Sequence, residues 1–177
     1  SYVFILSTIF ISCKDTDNSV FGDDFDFPAL TDANTIRFTV NVTGDWRQLN
    51  IVADGGRMVI DWGNGRMQKV EDPSSMAGGV TYRYGNKGSY NVRIWAEELQ
   101  LIDISGLLSD LHLGNMPGMK SLVLNSITDT RELNLNTFCP NVESINIGSF
   151  ADLEHLEVEH CSRLRNIQIY SNPKLTS

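Results

Sequence analysis

An apolar pattern that returns every eleven or twelve residues runs from residue 99 to 177 and constrains the fold more than any other feature. The units share the form LxLxxφxxLxx, where φ is apolar. The first column holds Leu99, Leu111, Leu122, Leu133, Ile145, Leu156 and Ile167, and the column two residues later holds Leu101, Leu113, Leu124, Leu135, Ile147, Val158 and Ile169. Thr130 and Asn172 are the polar exceptions in the two remaining columns. This regularity predicts a repeat architecture.

A helical coiled coil does not explain the pattern. At about 100° per residue, the four apolar positions spread over more than half of a helix, so no stripe forms. Pro117, Pro140 and Pro173 also fall at nearly the same place in the repeat, where a helix would lose a hydrogen bond and clash. Strands fit better, because the paired apolar residues point to one side by period-2 alternation. We therefore predict a solenoid of stacked parallel strands.

The units resemble the leucine-rich repeat family. The family segment LxxLxLxx(N/C)xxL is matched by Leu153, Leu156, Val158, Cys161 and Leu164, and again by Leu164, Ile167, Ile169, Asn172 and Leu175. Two units make one coil of 22 or 23 residues. The resemblance implies a strand on one side of each coil, and the second apolar pair predicts a strand on the opposite side. Because the repeat is still in phase at Ser177 and no polar cap follows it, we expect the chain to be part of a longer protein.

Residues 34–97 have a different character. Short β-rich runs separated by turn signals predict a β-sandwich; they are 35–43, 49–53, 58–62, 66–70, 80–84 and 90–96. Asn64-Gly65 predicts a type I′ hairpin. The run IDWGNG, with Tyr84, Gly88, Tyr90 and Val92 in a YxxxGxYxV spacing, resembles the PKD-like immunoglobulin-type module, although Asn64 replaces the family's Asp. Trp62 and Trp95 are candidate sugar-stacking platforms, but we expect at least one of them to be buried.

The first 33 residues predict export. Residues 1–13 are almost entirely apolar up to Cys13, as in a secretory signal, and Phe10 to Cys13 resemble a bacterial lipobox, which implies acylation of Cys13. The open alternative is a buried strand. Residues 14–33 are acidic and without periodicity, which predicts a flexible tether rather than a calcium loop. Lys14 and Asp15 resemble the export signal of Bacteroides-type surface lipoproteins.

Composition argues against several functions. A net charge of -8 and a pI near 4.7 disfavour a nucleic-acid partner, because phosphate binding depends on clustered basic residues. Cys139 and Cys161 share a repeat column and are expected to be small buried residues. His155, Glu157 and Glu159 alternate along one predicted strand, but a solvated face explains them better than a metal site. No catalytic motif is present, so we predict a protein without enzymatic activity or cofactor.

The predicted solenoid offers an array of outward residues for binding. The residue between the paired apolar positions points away from the interior: His112, Asn134 and Glu157 on one side of the coil, and Val123, Asn146 and Gln168 on the other. Repeat proteins use such surfaces for recognition. The prediction is a mainly all-β protein, with a PKD-like sandwich in 34–97 and leucine-rich repeats in 98–177, that is lipid-anchored in the outer membrane through Cys13 and binds a protein or glycan. The open alternatives are the accessory part of a surface hydrolase and a structural spacer.

Overall fold

A computed structural model describes residues 30–31, 34–76 and 78–176. Cys13 and nearly all of the predicted tether lie outside the described residues. The strands are β1 Thr35–Val42, β2 Arg47–Asp54, β3 Met58–Asp61, β4 Met67–Val70, β5 Val80–Tyr84, β6 Gly88–Ala96, β7 Leu101–Leu113, β8 Ser121–Ile127, β9 Glu132–Asn134, β10 Ser144–Gly148, β11 His155–Glu157 and β12 Asn166–Tyr170. A short 3-10 helix spans Pro73–Ser75, and one helical turn, α1, spans Leu135–Phe138. The prediction of a mainly β protein is confirmed.

One strand, β7, belongs to both parts of the chain. Ten strands form one hydrogen-bonded sheet in the order β12-β10-β8-β7-β1-β6-β3-β4, with β2 pairing β5 and β7. The first half of β7 lies parallel to β8 on one side and antiparallel to β2 on the other. Its second half lies antiparallel to β1. The two halves meet near Gly106, between residues at which the pairing with β8 shifts register.

A β-solenoid of about three turns occupies residues 101–170, as the repeat predicts. Ile102 pairs with Leu122, Leu122 with Ile145, and Ile145 with Ile167, so successive strands are offset by 20, 23 and 22 residues. Across the coil, β9 and β11 form a second, two-stranded parallel sheet. The interior between the two sheets is apolar, with buried residues that include Leu124, Leu135, Val142, Ile147 and Leu153.

The first repeat departs from the predicted alignment. Ile102 and Ile104, rather than Leu99 and Leu101, occupy the places that Leu122 and Leu124 take in the next coil. Leu101 is only half-buried, and Leu107 is 58% exposed. The repeat unit that begins at Leu111 was expected to form the opposite side of this coil. It does not, because β7 continues as one strand to Leu113 and pairs with β1.

The coils that contain β8, β10 and β12 each turn at a serine whose backbone is left-handed. Ser126, Ser149 and Ser171 have φ of 63°, 57° and 54°. Each directly follows the last residue of its strand that pairs in continuous register with the neighbouring coil. The bend turns the next side chain towards the interior, and those side chains are Ile127, Phe150 and Asn172. Asn172 is polar, but its Oδ1 accepts from the N–H of Phe150 at 2.9 Å and its Nδ2 donates to the carbonyl of Ile147 at 3.1 Å. These bonds explain why an amide is accepted in an apolar column.

The six strands between residues 35 and 96 lie close to their predicted positions. Both candidate platforms are buried, Trp62 at 1% and Trp95 at 5% exposure, so the expectation that at least one is buried is confirmed. Trp62 stacks on Tyr82 with ring centroids 4.7 Å apart, and the hydroxyl of Tyr84 donates to the carbonyl of Trp62 at 3.1 Å. Tyr84 in turn stacks on Tyr90.

Asn64-Gly65 lies in the connection of the antiparallel hairpin β3-β4, as predicted, but the predicted type I′ turn is wrong. Gly63 and Gly65 have positive φ, at 74° and 84°, but Asn64 does not, whereas a type I′ turn requires positive φ at both Asn64 and Gly65. Asn64 instead accepts the N–H of Arg66 through its Oδ1 at 3.2 Å. Position 63 requires glycine, because its φ is positive and a Cβ there would lie 2.6 Å from the carbonyl oxygen of Asn91.

Candidate binding surfaces

The first polar row crosses the large solenoid sheet. Val123, Asn146 and Gln168 lie side by side on β8, β10 and β12, in register. Val123 and Asn146 alternate with buried interior residues, so their side chains belong to the outer face of the sheet. Gln168 shares this face by register, although its neighbours Ile167 and Ile169 on the last strand are 54% and 41% exposed. Asn146 Nδ2 donates to Gln168 Oε1 at 3.0 Å. Asn146 Oδ1 is buried and has no hydrogen-bond partner, because its neighbour on the other side, Val123, has no donor in its side chain.

The second row crosses the two-stranded sheet on the opposite side of the coil. Asn134 on β9 lies beside Glu157 on β11, and its Nδ2 donates to the Glu157 carboxylate. Asn136 repeats this arrangement with Glu159 at 3.2 Å. Asn134 is also the N-cap of α1, since its Oδ1 accepts from the N–H of Thr137 at 3.3 Å. Asn134 therefore has a structural role that the strand pattern did not predict.

His112 does not join this second row. It lies on the second half of β7, opposite Arg37 of β1, rather than in the stack that holds Asn134 and Glu157. The sequence repeat predicted His112 in the second row because the unit beginning at Leu111 has the same apolar spacing as the later units. Pairing with β1 takes precedence, so the predicted row of three is reduced to two.

A further row on the outer face of the large sheet was not predicted from the sequence. Ser105, Asn125, Gly148 and Tyr170 are in register on four adjacent strands. The Tyr170 hydroxyl donates to Asn125 Oδ1 at 2.6 Å, so the ring crosses the strand that separates them. Gly148 makes this possible, because a Cβ at that position would lie 2.3 Å from the tyrosine ring. The alternation of small and large residues along the row gives no sequence signal unless the coils are already aligned.

The alternating His155, Glu157 and Glu159 do not form a metal site. Among residues 30–31, 34–76 and 78–176, no group of three or more His, Cys, Asp or Glu side chains could hold a metal ion. Both carboxylates bind asparagines of the neighbouring coil instead. Hydrogen bonds from its own backbone and from Asn136 hold the pKa of Glu159 below its usual range.

The two cysteines of the repeat column are interior residues. Cys139 and Cys161 are buried, and both are free thiols. Burial raises the pKa of the Cys139 thiol to about 12 and also raises that of Cys161. A thiol that stays protonated is a poor nucleophile and a poor metal ligand. Their chemistry is that of small apolar side chains in the solenoid interior.

An exposed aromatic residue lies on the other part of the chain. Trp46, in the connection between β1 and β2, is 55% exposed, and the Arg83 guanidinium lies 4.5 Å from its ring centroid. The sequence pattern pointed to Trp62 and Trp95 rather than to this tryptophan. A turn context, with Gly44 and Asp45 immediately before Trp46, was the signal that could have identified it.

Comparison with known proteins gives no relative: no protein-family model, curated protein or solved structure matches the chain. Within the described part of the chain, no helix has the length and apolar character needed to span a membrane.

Proposed function

We propose that this protein is a non-enzymatic, lipid-anchored surface protein of the Bacteroides type that binds a protein or glycan through the outer faces of its leucine-rich-repeat solenoid. The observation that carries the proposal is the register of the polar rows. Asn146 and Gln168 on one sheet, and Asn134 and Glu157 on the other, repeat at the spacing of adjacent strands. Repeated amides and carboxylates at about 4.8 Å suit an extended partner that offers hydrogen-bonding groups at regular intervals.

The remaining parts of the chain support an anchored architecture. In the proposal, Cys13 carries the acyl chains, residues 14–33 are the tether, and 34–97 are a PKD-like sandwich that holds the repeats away from the membrane. The Tyr84 hydroxyl bond to the Trp62 carbonyl and the stacked Tyr84 and Tyr90 favour the PKD-like assignment, since these residues belong to the motif that suggests it. Intact-mass measurement of the protein from the membrane fraction tests the anchor; an unmodified Cys13 in the soluble fraction would contradict it.

The binding proposal is tested with a ligand found on a glycan array or by pull-down with the whole chain. We expect Glu157→Gln and Gln168→Ala together to weaken binding while the urea midpoint stays nearly constant, because exposed residues usually change stability by less than about 0.5 kcal/mol. Trp46→Ala is the control on the other part of the chain. If Trp46→Ala abolishes binding and the double variant binds normally, recognition does not belong to the repeats.

A further inference from the structure

A groove of about 340 Å³ lies on the sheet formed by β3, β6, β1 and the second half of β7. Four of its neighbouring side chains form one row in cross-strand register. Asp61 pairs with Arg93, Arg93 with Arg37, and Arg37 with His112. Arg37 and His112 are exposed, and they alternate along their strands with more deeply buried residues such as Ile36 and Phe38. The row therefore lies on the outer face of this sheet.

The charge of the row is unusual for this chain. The protein carries a net charge of -8, yet two arginines lie directly opposite each other on adjacent strands. Like charges in that position destabilise a sheet. Asp61 pairs with Arg93: its Oδ2 accepts from Arg93 Nη2 at 2.7 Å and from Arg93 Nε at 3.2 Å. A guanidinium has five N–H donors, so Nη1 of Arg93 is not used by this ion pair.

The groove also contains groups that accept or donate hydrogen bonds without cationic charge. Asp110 has φ of 51° and lies where the register between β1 and β7 shifts, a bulge that redirects its side chain. Asn91 accepts from the Thr39 hydroxyl at 3.1 Å through its Oδ1, which leaves its Nδ2 as a donor. Asp110, Asn91 and Thr39 all line the groove beside the arginines.

We propose that this groove binds a carboxylate or sulfate group, either as a free anion or as part of an acidic sugar. The guanidinium groups of Arg37 and Arg93 and the imidazole of His112 provide the donors, and a planar guanidinium fork matches the geometry of such oxyanions. The Asp110 carboxylate and the Asn91 amide are placed to bind hydroxyl groups next to the anion.

NMR titration of the whole chain tests this proposal with three probes: sodium sulfate, glucuronate and glucose, at a constant ionic strength set with chloride. We expect saturable shifts of the Arg37 and Arg93 side-chain N–H signals and of the His112 ring. Arg37→Gln should raise the Kd about tenfold or more, as expected for the loss of hydrogen bonds to a charged group. Arg163→Gln, an equal change of charge on an exposed residue of the solenoid, should leave the Kd within about twofold.

The probes distinguish the two sources of the anion. Equal affinity for sulfate and glucuronate identifies a free-anion site, whereas tighter binding of glucuronate without binding of glucose identifies an acidic sugar. His112→Gln changes the other end of the row and should also weaken binding. This second variant keeps the test possible if Arg37→Gln does not fold. Absence of saturable shifts, or equal loss of binding in Arg163→Gln and Arg37→Gln, would overturn it.

Discussion

Left-handed serines set the corners of the solenoid. A non-glycine residue at this φ is strained by its Cβ, and a β-branched residue is strained further. We therefore expect Ser149→Val to lower the free energy of unfolding by about 1 to 3 kcal/mol. Ser149→Gly, which has no Cβ, should be neutral or stabilising. Urea denaturation measures both changes.

A matched control separates the backbone effect from side-chain polarity. Ser144 lies in the extended strand β10, where a β-branched residue is favoured, so Ser144→Val should change stability by less than about 0.5 kcal/mol. If Ser144→Val is as destabilising as Ser149→Val, the left-handed corner is not the cause.

The unsatisfied Oδ1 of Asn146 predicts a stabilising substitution. Val123→Thr keeps the shape of the side chain and adds a hydroxyl donor on the neighbouring strand. The chain already uses this pairing elsewhere, since Thr81 donates to Asn50 across two strands at 2.8 Å. We expect a gain of about 1 kcal/mol in the free energy of unfolding, measured by urea denaturation. In an Asn146→Ala background the gain should vanish, and a gain that persists there would contradict this explanation.

Residue-level patterns predicted most of the interior, because apolar alternation is typical of burial on one face, but Leu107, Ile167 and Ile169 of the predicted columns are exposed. They could not predict the groove, since residues 37, 93 and 112 come together only through non-local strand pairing. They also missed the cap: Leu135 is apolar and buried whether its backbone is a strand or a helical turn, so the pattern does not distinguish the two.

At the scale of elements, Asn134 has two roles: it is the N-cap of α1 and it belongs to the proposed binding row. Asn134→Ala removes the acceptor for the N–H of Thr137 and should cost about 0.5 to 2 kcal/mol. Asn134→Ser retains an N-cap oxygen and should retain most of the stability. Thermal or urea denaturation of both variants provides the measurement.

Glu157→Gln serves as the control for this cap, because it removes the charge beside Asn134 without touching the helical turn. Its stability should lie within about 0.5 kcal/mol of the parent chain. Equal losses in Asn134→Ala and Asn134→Ser would show that the bond to Glu157, rather than the cap, provides the stabilisation.

Strand β7 shows why element boundaries resist prediction from sequence. The run LQLIDISGLLSD offers two apolar pairs, Leu99 with Leu101 and Ile102 with Ile104, and either could face the interior. The choice is made by β2 and β8, which pair with residues 101–105 from both sides. The later coils contain a single apolar pair on each side, so their phase was predicted correctly.

At the scale of the whole molecule, the shared strand makes the two parts of the chain interdependent. The buried apolar residues form one continuous cluster from Ile36 to Cys161. Loss of β7 would expose the edges of β1, β2 and β8 together. An unfolding event that begins in either part should therefore spread to the other.

The most direct test follows urea unfolding with one probe in each part. Tryptophan fluorescence reports on residues 35–96, because its change on unfolding comes mainly from the buried Trp62 and Trp95 while Trp46 is already exposed. The methyl NMR signals of Ile145 and Ile147 report on the solenoid. The shared strand predicts coincident midpoints, and Ile104→Ala in β7, at a cost of about 2 to 5 kcal/mol, should lower both midpoints together. Solenoid methyl signals that persist at urea concentrations where the tryptophans are already exposed would contradict the account.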